Sequence, residues 1–490
     1  MRLICLIVAL LISTGCLSSP QEPATAVANP QRPNILWIYV EDMNDWMGAY
    51  GDHTVPTPNI DNLASQGVRF DQLIMPAPVC SAVRSAIIAG DMQTTLGLHN
   101  HRSARFDYNP ITLPAGHKSV PELFRDAGYD TFNIGKDDYN FHYDRTRFYS
   151  LSPGPIVGHQ GQLEGPEFDW AATVAKSGKP FFGQLQLTGG KYKEKNPPFK
   201  VDRNSLTLPP YYADLPLTRE YWAMQYEAVH ATDLDVGKVL AQLEQHGLLQ
   251  NTAIFFFTDH GNGSLRHKQF LYDGGLQVPL VVSWPAGNEQ IRKLGAVRSE
   301  PLRGLDIGGT SLGLAGIAIP DYMTTEDFFA TDYQAPEWII SARDRLDYTF
   351  DHMRSVRTDR FKYIRNFMPQ RPYMQPQYRD KWPMTKEYRK AYREGKFNEV
   401  QAQLMAPNKP QEELYDLKAD PFEIHNLASD PAFQAQLRQM RTVLIDWMAA
   451  TDDKGQYPES DEGVREVLEF YKDCASPECL DYLKRHPKNQ

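Results

Sequence analysis

The chain has 490 residues, 41% hydrophobic, 11% aromatic and 23% charged, an ordinary globular composition that excludes a disordered or fibrous protein. Sixty-one acidic side chains stand against 51 basic ones, a formal charge of -10. That balance argues against a general nucleic-acid binder but leaves room for a local cluster of cations that grips a small anion or an anionic glycan.

Met1-Arg2, the apolar run 3–12 and Ser13-Thr14-Gly15-Cys16 read as an export signal over residues 1–15. The run is shorter than the ~20 residues a membrane-spanning helix needs. Small residues ending in Gly-Cys are similar to a bacterial lipobox with Cys16 acylated, which predicts a lipoprotein in the periplasm or outer membrane; cleavage and secretion is the competing outcome. Residues 16–31, rich in Ser, Pro, Ala and Gln, follow as a tether, so membrane contact is expected only through the lipid. With Cys5 in the signal and Cys16 set aside for the lipid, three cysteines remain for the folded domain. Cys474 and Cys479 lie near enough to bridge in an oxidising compartment, and Cys80 is left as either a buried small hydrophobe or a reactive, modified residue.

Residues 34–40 form a β-rich apolar run followed at once by Glu41 and Asp42, which predicts a buried strand carrying carboxylates at its C-terminal end. A short helix is expected from Pro58, a strand over 68–74, and a short helix whose N-terminus holds Cys80, where free backbone N–H groups favour an anion. Residues 120–127 read as helix, 131–134 as a strand ending at Gly135-Lys136, 180–187 as a strand, 219–246 as a long helix stopped by Gly247, and 253–258 as a strand ending in Asp259-His260. Strands alternating with helices predict an α/β sheet covered on both faces. Residues 32–345 read as the catalytic domain and 346–450 as a smaller α+β subdomain, with 368–410 irregular, a helix over 433–448 and a tail over 451–490.

Three strand ends carry the chemistry. Glu41, Asp42, Asp259 and His260 offer ligands for a divalent cation such as Ca²⁺. Lys136 and Lys268 add point cations and Arg84 a planar fork four residues after Cys80, a set that suits a tetrahedral oxyanion. Each alone is more simply a cap, a salt bridge or a solvated charge; their recurrence at successive strand ends carries the weight.

Arg32-Pro33-Asn34-Ile35-Leu36, residues 56–61, the run Cys80-Ser81-Ala82-Val83-Arg84, Thr258-Asp259-His260-Gly261, residues 268–279 and Glu413-Leu414-Tyr415-Asp416-Leu417 together resemble the type I sulfatases of the alkaline phosphatase superfamily. The resemblance implies an alkaline-phosphatase-like mixed sheet sandwiched by helices. It implies that a maturation enzyme oxidises Cys80 to formylglycine, whose hydrate attacks sulfur, with Ala82 standing where Pro is commoner. Arg84 would then hold the hydrate, Lys136 and Lys268 the sulfate oxygens, and Glu41, Asp42, Asp259 and His260 the calcium. Two family histidines are absent, one after Lys136 and one at residues 188–191, so His99, His101, Tyr139 and Lys191 are the candidates to replace them, His101 foremost as a substrate contact.

A sulfated polysaccharide or its oligosaccharides is the expected substrate. Arg357, Arg360, Arg365 and Arg371, interleaved with aromatics, either meet further sulfates or form the face and core of the small domain. A phosphodiesterase or phosphonate hydrolase of the same superfamily, a catalytically inactive glycan-binding lipoprotein and a metal-independent thiol enzyme are the competing readings.

Overall fold

The apolar runs become strands in the computed structural model, which describes residues 32–151, 169–192, 194–472 and 474–487. The expected signal, Cys16 and the tether lie outside the described residues. The main sheet is built from β1 (Asn34–Val40), β2 (Val68–Ile74), β3 (Asp130–Ile134), β4 (Phe181–Leu187), β5 (Thr252–Thr258), β6 (Gln277–Ser283), β7 (Val297–Arg298) and β8 (Leu302–Arg303). Its order is β3-β4-β1-β5-β6-β2-β7, with β8 also paired to β2. β3, β4, β1 and β5 are parallel, and β6 runs antiparallel to both β5 and β2, so β2 points the same way as those four. Five strand ends therefore meet at one edge, bringing together Glu41-Asp42, the turn into Cys80, Lys136, Lys191 and Asp259-His260. Open α/β sheets bind their ligands at such an edge.

Both faces of the sheet are covered. Leu36, Ile38 and Val40 of β1 enter one apolar cluster and Ile35, Trp37 and Tyr39 the other, which is why this strand reads as an unbroken apolar run. Ile254, Phe255, Phe256 and Phe257 of β5 are fully buried, each worth about 1.5–3 kcal/mol of transfer free energy. The long helix Pro216–Gln245 opens with proline in its first turn, where no backbone N–H is lost, and lays Trp222, Tyr226, Val229 and Val236 on the first cluster.

A second, antiparallel sheet has the order β12-β11-β10-β9, from β9 (Ile339–Arg343), β10 (Met353–Arg357), β11 (Phe361–Asn366) and β12 (Glu412–Asp416). The helix Gln434–Ala450 seats Leu437, Met440 and Leu444 on Val356, Tyr363 and Leu414. This sheet begins before the expected boundary at 345, and Arg32–Gln490 packs as one unit, so the boundary marks a change of sheet and not of body. The stretch 368–410 is less irregular than its composition suggests: the helix Pro383–Arg393 buries Met384, Tyr388 and Ala391 at helical spacing. The tail folds into the helices Asp461–Tyr471 and Pro477–Arg485, with Cys474 and Cys479 joined in a disulfide. No helix among the described residues is long and apolar enough to cross a membrane.

Candidate active site

Cys80 begins the helix Cys80–Ala89, entered from extended Val79 and buried along its whole length. It is a free, buried thiol whose Sγ lies 3.1 Å from His260 Nε2 and 3.2 Å from Lys268 Nζ. Burial pushes the thiol pKa up, but the charges of Lys136, Lys268 and Lys191 outweigh it and hold the group below its ordinary value. A structural thiol has no use for such surroundings; a side chain that develops oxyanion charge does.

Asp42, Cys80, Asp259 and His260 each bring a ligand atom within 4.8 Å of the others. His260 Nδ1 lies 2.8 Å from the Gly261 carbonyl, so the neutral ring carries its proton there and turns the Nε2 lone pair inward. That lone pair faces Asp42 Oδ1 at 3.6 Å and Asp259 Oδ2 at 3.5 Å. Lys268 and Arg84 approach the two carboxylates from the side, and on the face they share with the imidazole two carboxylates and one ring nitrogen make a donor set that fits a divalent ion. Asp42 adopts a left-handed φ of 49°, which folds its carboxylate back toward this point, and its backbone N–H donates to Asp259 Oδ1 at 2.9 Å.

Glu41, the fourth expected ligand, does not join this cluster. Its oxygens are taken by Arg84 Nη2 at 2.6 Å, by Lys136 Nζ at 3.0 Å, and by Lys191. The burial of Glu41 pushes its carboxyl up, yet Lys136, Lys191 and Arg84 prevail and hold it ionised. Arg84, fully buried under the Tyr39 ring, also donates to Gln186 Oε1 at 2.6 Å and approaches Asp259 Oδ2 at 3.4 Å, so it braces the acids of two strands. Lys268 Nζ sits 2.9 Å from both Asp42 oxygens; burial alone would lower its pKa, and Asp42 with Cys80 reverses this, keeping the ammonium charged.

These groups open onto a cavity of about 430 Å³. Cys80, Asp42, Lys268, Lys191 and His101 line it, whereas Lys136 stands behind, divided between Glu41 and Asp138. His101 is buried, with Nδ1 2.6 Å from Ser81 Oγ and Nε2 3.5 Å from Asp347 Oδ1. Burial and the charge of Arg102 keep its pKa well below the usual histidine value. Of the other candidates for the missing histidines, only Lys191 reaches this cavity: His99 lines a separate one, and the Tyr139 hydroxyl is hydrogen-bonded to that of Tyr149 at 2.7 Å. Of the two roles open to the four arginines of the small domain, the structure shows the structural one, each paired with a carboxylate of the protein. Arg357 pairs with Asp273, Arg360 with Asp416, Arg365 with Glu412 and Arg371 with Glu478. Sequence alone missed Arg102, Tyr221, Asp347, Tyr378, Trp382 and Tyr471, which complete the wall: Tyr221 from the first turns of the long helix, where periodicity marks the helix but not which side chain reaches the cavity, Arg102 from the segment after the Cys80 helix, and the others from later segments and the tail.

The family profile described as Sulfatase matches residues 33–317, and one described as N-sulphoglucosamine sulphohydrolase, C-terminal, matches residues 261–412. An ulvan-active sulfatase of Formosa agariphila is 33% identical over 477 residues, covering 90% of this chain and 78% of that protein. Human N-sulphoglucosamine sulphohydrolase is 25% identical over 478 residues, covering 86% of this chain and 90% of its own length. The solved structure of a 2-O GAG sulfatase shares the fold, with a TM-score of 0.59 at 21% identity over 88% of this chain and 94% of the other.

Proposed function

The chain belongs to the sulfatase family and is a sulfuric ester hydrolase; from that premise we propose that it removes sulfate from a sulfated polysaccharide or its oligosaccharides, using a formylglycine made from Cys80 beside a divalent cation. The carrying observation is the free, buried Cys80 at a helix N-terminus, 3.2 Å from Lys268 and beside three converging metal-type donors, facing a cavity of sugar size. An aldehyde hydrate at position 80 would supply one hydroxyl to bond sulfur as the ester S–O bond breaks, and a second whose loss of a proton returns the aldehyde and frees sulfate. A cation held by Asp42, Asp259 and His260, with calcium the expected ion, would withdraw charge from the sulfate oxygens.

The chain's own residues do the rest. Lys268 keeps a charged ammonium between Asp42 and position 80, placed to stabilise negative charge on the sulfate or the leaving oxygen. Arg84 fixes Glu41, Gln186 and Asp259 relative to one another, and Lys136 and Lys191 neutralise Glu41 while adding positive potential. His101, held by Ser81 and facing Asp347, contacts the ester-bearing sugar as a neutral hydrogen-bonding ring. The substrate class follows the relatives whose names carry ulvan and N-sulphoglucosamine. Maturation would need a formylglycine-generating enzyme, and export with a lipid on Cys16 would place the protein in the periplasm or at the outer membrane.

The test is sulfate release from ulvan, carrageenan and glycosaminoglycan oligosaccharides, with phosphate mono- and diesters in parallel. Release by matured protein, its loss with a chelator and its return with Ca²⁺ are expected; faster phosphate-ester turnover, or chelator-insensitive release, would overturn the reading.

A further inference from the structure

Arg102 lines the cavity of Cys80 and, among the described residues, its guanidinium has no hydrogen bond and no ion pair. The other cavity cations are matched: Lys268 to Asp42 and Lys191 to Glu41. Five N–H donors on a half-buried arginine are thus left to solvent or to a ligand. The Phe470 ring, 5.5 Å away, is the contact that supports the guanidinium.

The stem beneath is fixed. Arg102 takes a left-handed φ of 57°, and its backbone N–H donates to Ser81 Oγ at 3.0 Å, the residue next to the nucleophile. His101 N–H donates to Arg345 O at 3.0 Å, and Arg345 Nη1 returns a bond to His101 O at 2.8 Å. A left-handed turn away from glycine, clipped on both sides, is backbone spent on aiming a side chain. The two acids whose charge acts on Arg102 are both engaged by other partners: Asp138 pairs with Arg105 at 2.6 Å and with Lys136 at 2.9 Å, and Asp347 accepts from Tyr471 Oη at 2.6 Å and from Gln269 Nε2 at 2.9 Å. Tyr221, Tyr378 and Trp382 add apolar ring faces to the same cavity, with the Trp382 ring 5.5 Å from each tyrosine.

We propose that Arg102 forms an anion subsite that binds a second negative group of the substrate, a carboxylate or a sulfate on the sugar, while the scissile sulfate lies at Cys80. This rests on the sulfatase reading and adds to it a requirement for two charges on the glycan. A planar fork suits a bidentate oxyanion, and a preordered stem lowers the entropy lost on binding.

The probes are a sulfated uronic-acid disaccharide, its carboxyl-reduced form, its form lacking any second sulfate, and 4-nitrophenyl sulfate. Wild type, Arg102→Gln and Arg102→Lys are compared at equal formylglycine content, with thermal unfolding as the check on folding. The ratio of kcat/KM for the disaccharide to that for 4-nitrophenyl sulfate is expected to fall about ten- to a hundredfold in Arg102→Gln, mainly through KM, and to recover in part in Arg102→Lys. An unchanged ratio, or an equal loss on both substrates, overturns the subsite. If the carboxyl-reduced probe erases the difference between wild type and variant the partner is a carboxylate; if the probe without the second sulfate does so it is a sulfate; if neither does, the subsite is overturned. Should wild type release no sulfate from any probe, the sulfatase reading falls, and calorimetry with the same disaccharides decides the subsite, equal affinity for wild type and Arg102→Gln refuting it.

Discussion

Lys268 shows what one side chain contributes at this site. Its ammonium is the charged donor closest to Cys80 Sγ, and it is buried, so its field is little screened. Lys268→Ala is expected to lower kcat/KM by about 10²–10³, the usual loss on removing one oxyanion donor, in steady-state assays at matched formylglycine content. A second residue sets a pH response. His267 is buried, with Nδ1 3.2 Å from Asn44 Oδ1 and Nε2 3.2 Å from the Tyr211 hydroxyl, and burial with the charge of Arg266 brings its pKa down to about 3 from 6.5. The folded state then binds fewer protons than the unfolded chain, so this histidine's stabilisation is complete above pH 6.5 and is lost as the pH falls toward 3. His267→Gln should flatten the acid limb of the unfolding free energy by up to about 1.4 kcal/mol per pH unit, read from denaturant titrations across that range. Cys80, Arg84 and the strand-end acids stood out in the sequence because they follow apolar runs, whereas Lys268, well beyond the end of β5, stood out through the run 268–279 that resembles the sulfatases. Glu41 was legible as a site residue but not in its role: the sequence shows an acid pair and hides the three cations that converge on one member.

At the scale of elements, the site depends on how closely the turn after β4 approaches the end of β1. A Cβ at Gly189 would run into the Glu41 carbonyl and one at Gly190 into the Asp42 carbonyl, both backbone atoms that cannot rotate away. Gly189 also needs its positive φ of 53°. Gly190→Ala is therefore expected to cost about 1–3 kcal/mol of stability and to reduce activity beyond that loss, because the strain falls on the backbone carrying Asp42; a chemical-denaturation midpoint and a kcat measured on the folded fraction check both parts. The strands were readable because each apolar run stops abruptly at a polar cluster. The helix Pro383–Arg393 was not, since its Lys and Arg content masks the buried positions Met384, Thr385, Tyr388 and Ala391, and Trp382, which precedes it, reaches the cavity only through that fold.

The whole molecule closes the site with its C-terminal end. Tyr471 reaches Asp347, and Glu466 accepts the backbone N–H of Ala104 at 3.1 Å and that of Arg105, tying down the segment that follows Arg102. Asp453 holds the fully buried Arg354 through two bonds of 2.6 and 2.7 Å. Asp453→Ala would leave Arg354 with Asp344, 3.0 Å from its Nη1, as its remaining carboxylate partner and is expected to cost about 1–3 kcal/mol, visible as a lower unfolding midpoint. Burial pushes the Asp453 carboxyl up but Arg354 holds it below its ordinary value, so this stabilisation is present at neutral pH and lost only as the pH falls through the carboxylate range. Residues 451–490 read as a tail because such contacts span hundreds of positions, and no local pattern announces them. The central claim is that an oxidised Cys80 is the nucleophile, and it is tested most directly by measuring sulfate release against the fraction of Cys80 converted to aldehyde, quantified by peptide mass spectrometry across preparations matured to different extents. Activity should rise in proportion to that fraction and extrapolate to zero when every Cys80 is a thiol; full activity with the thiol intact would contradict the account.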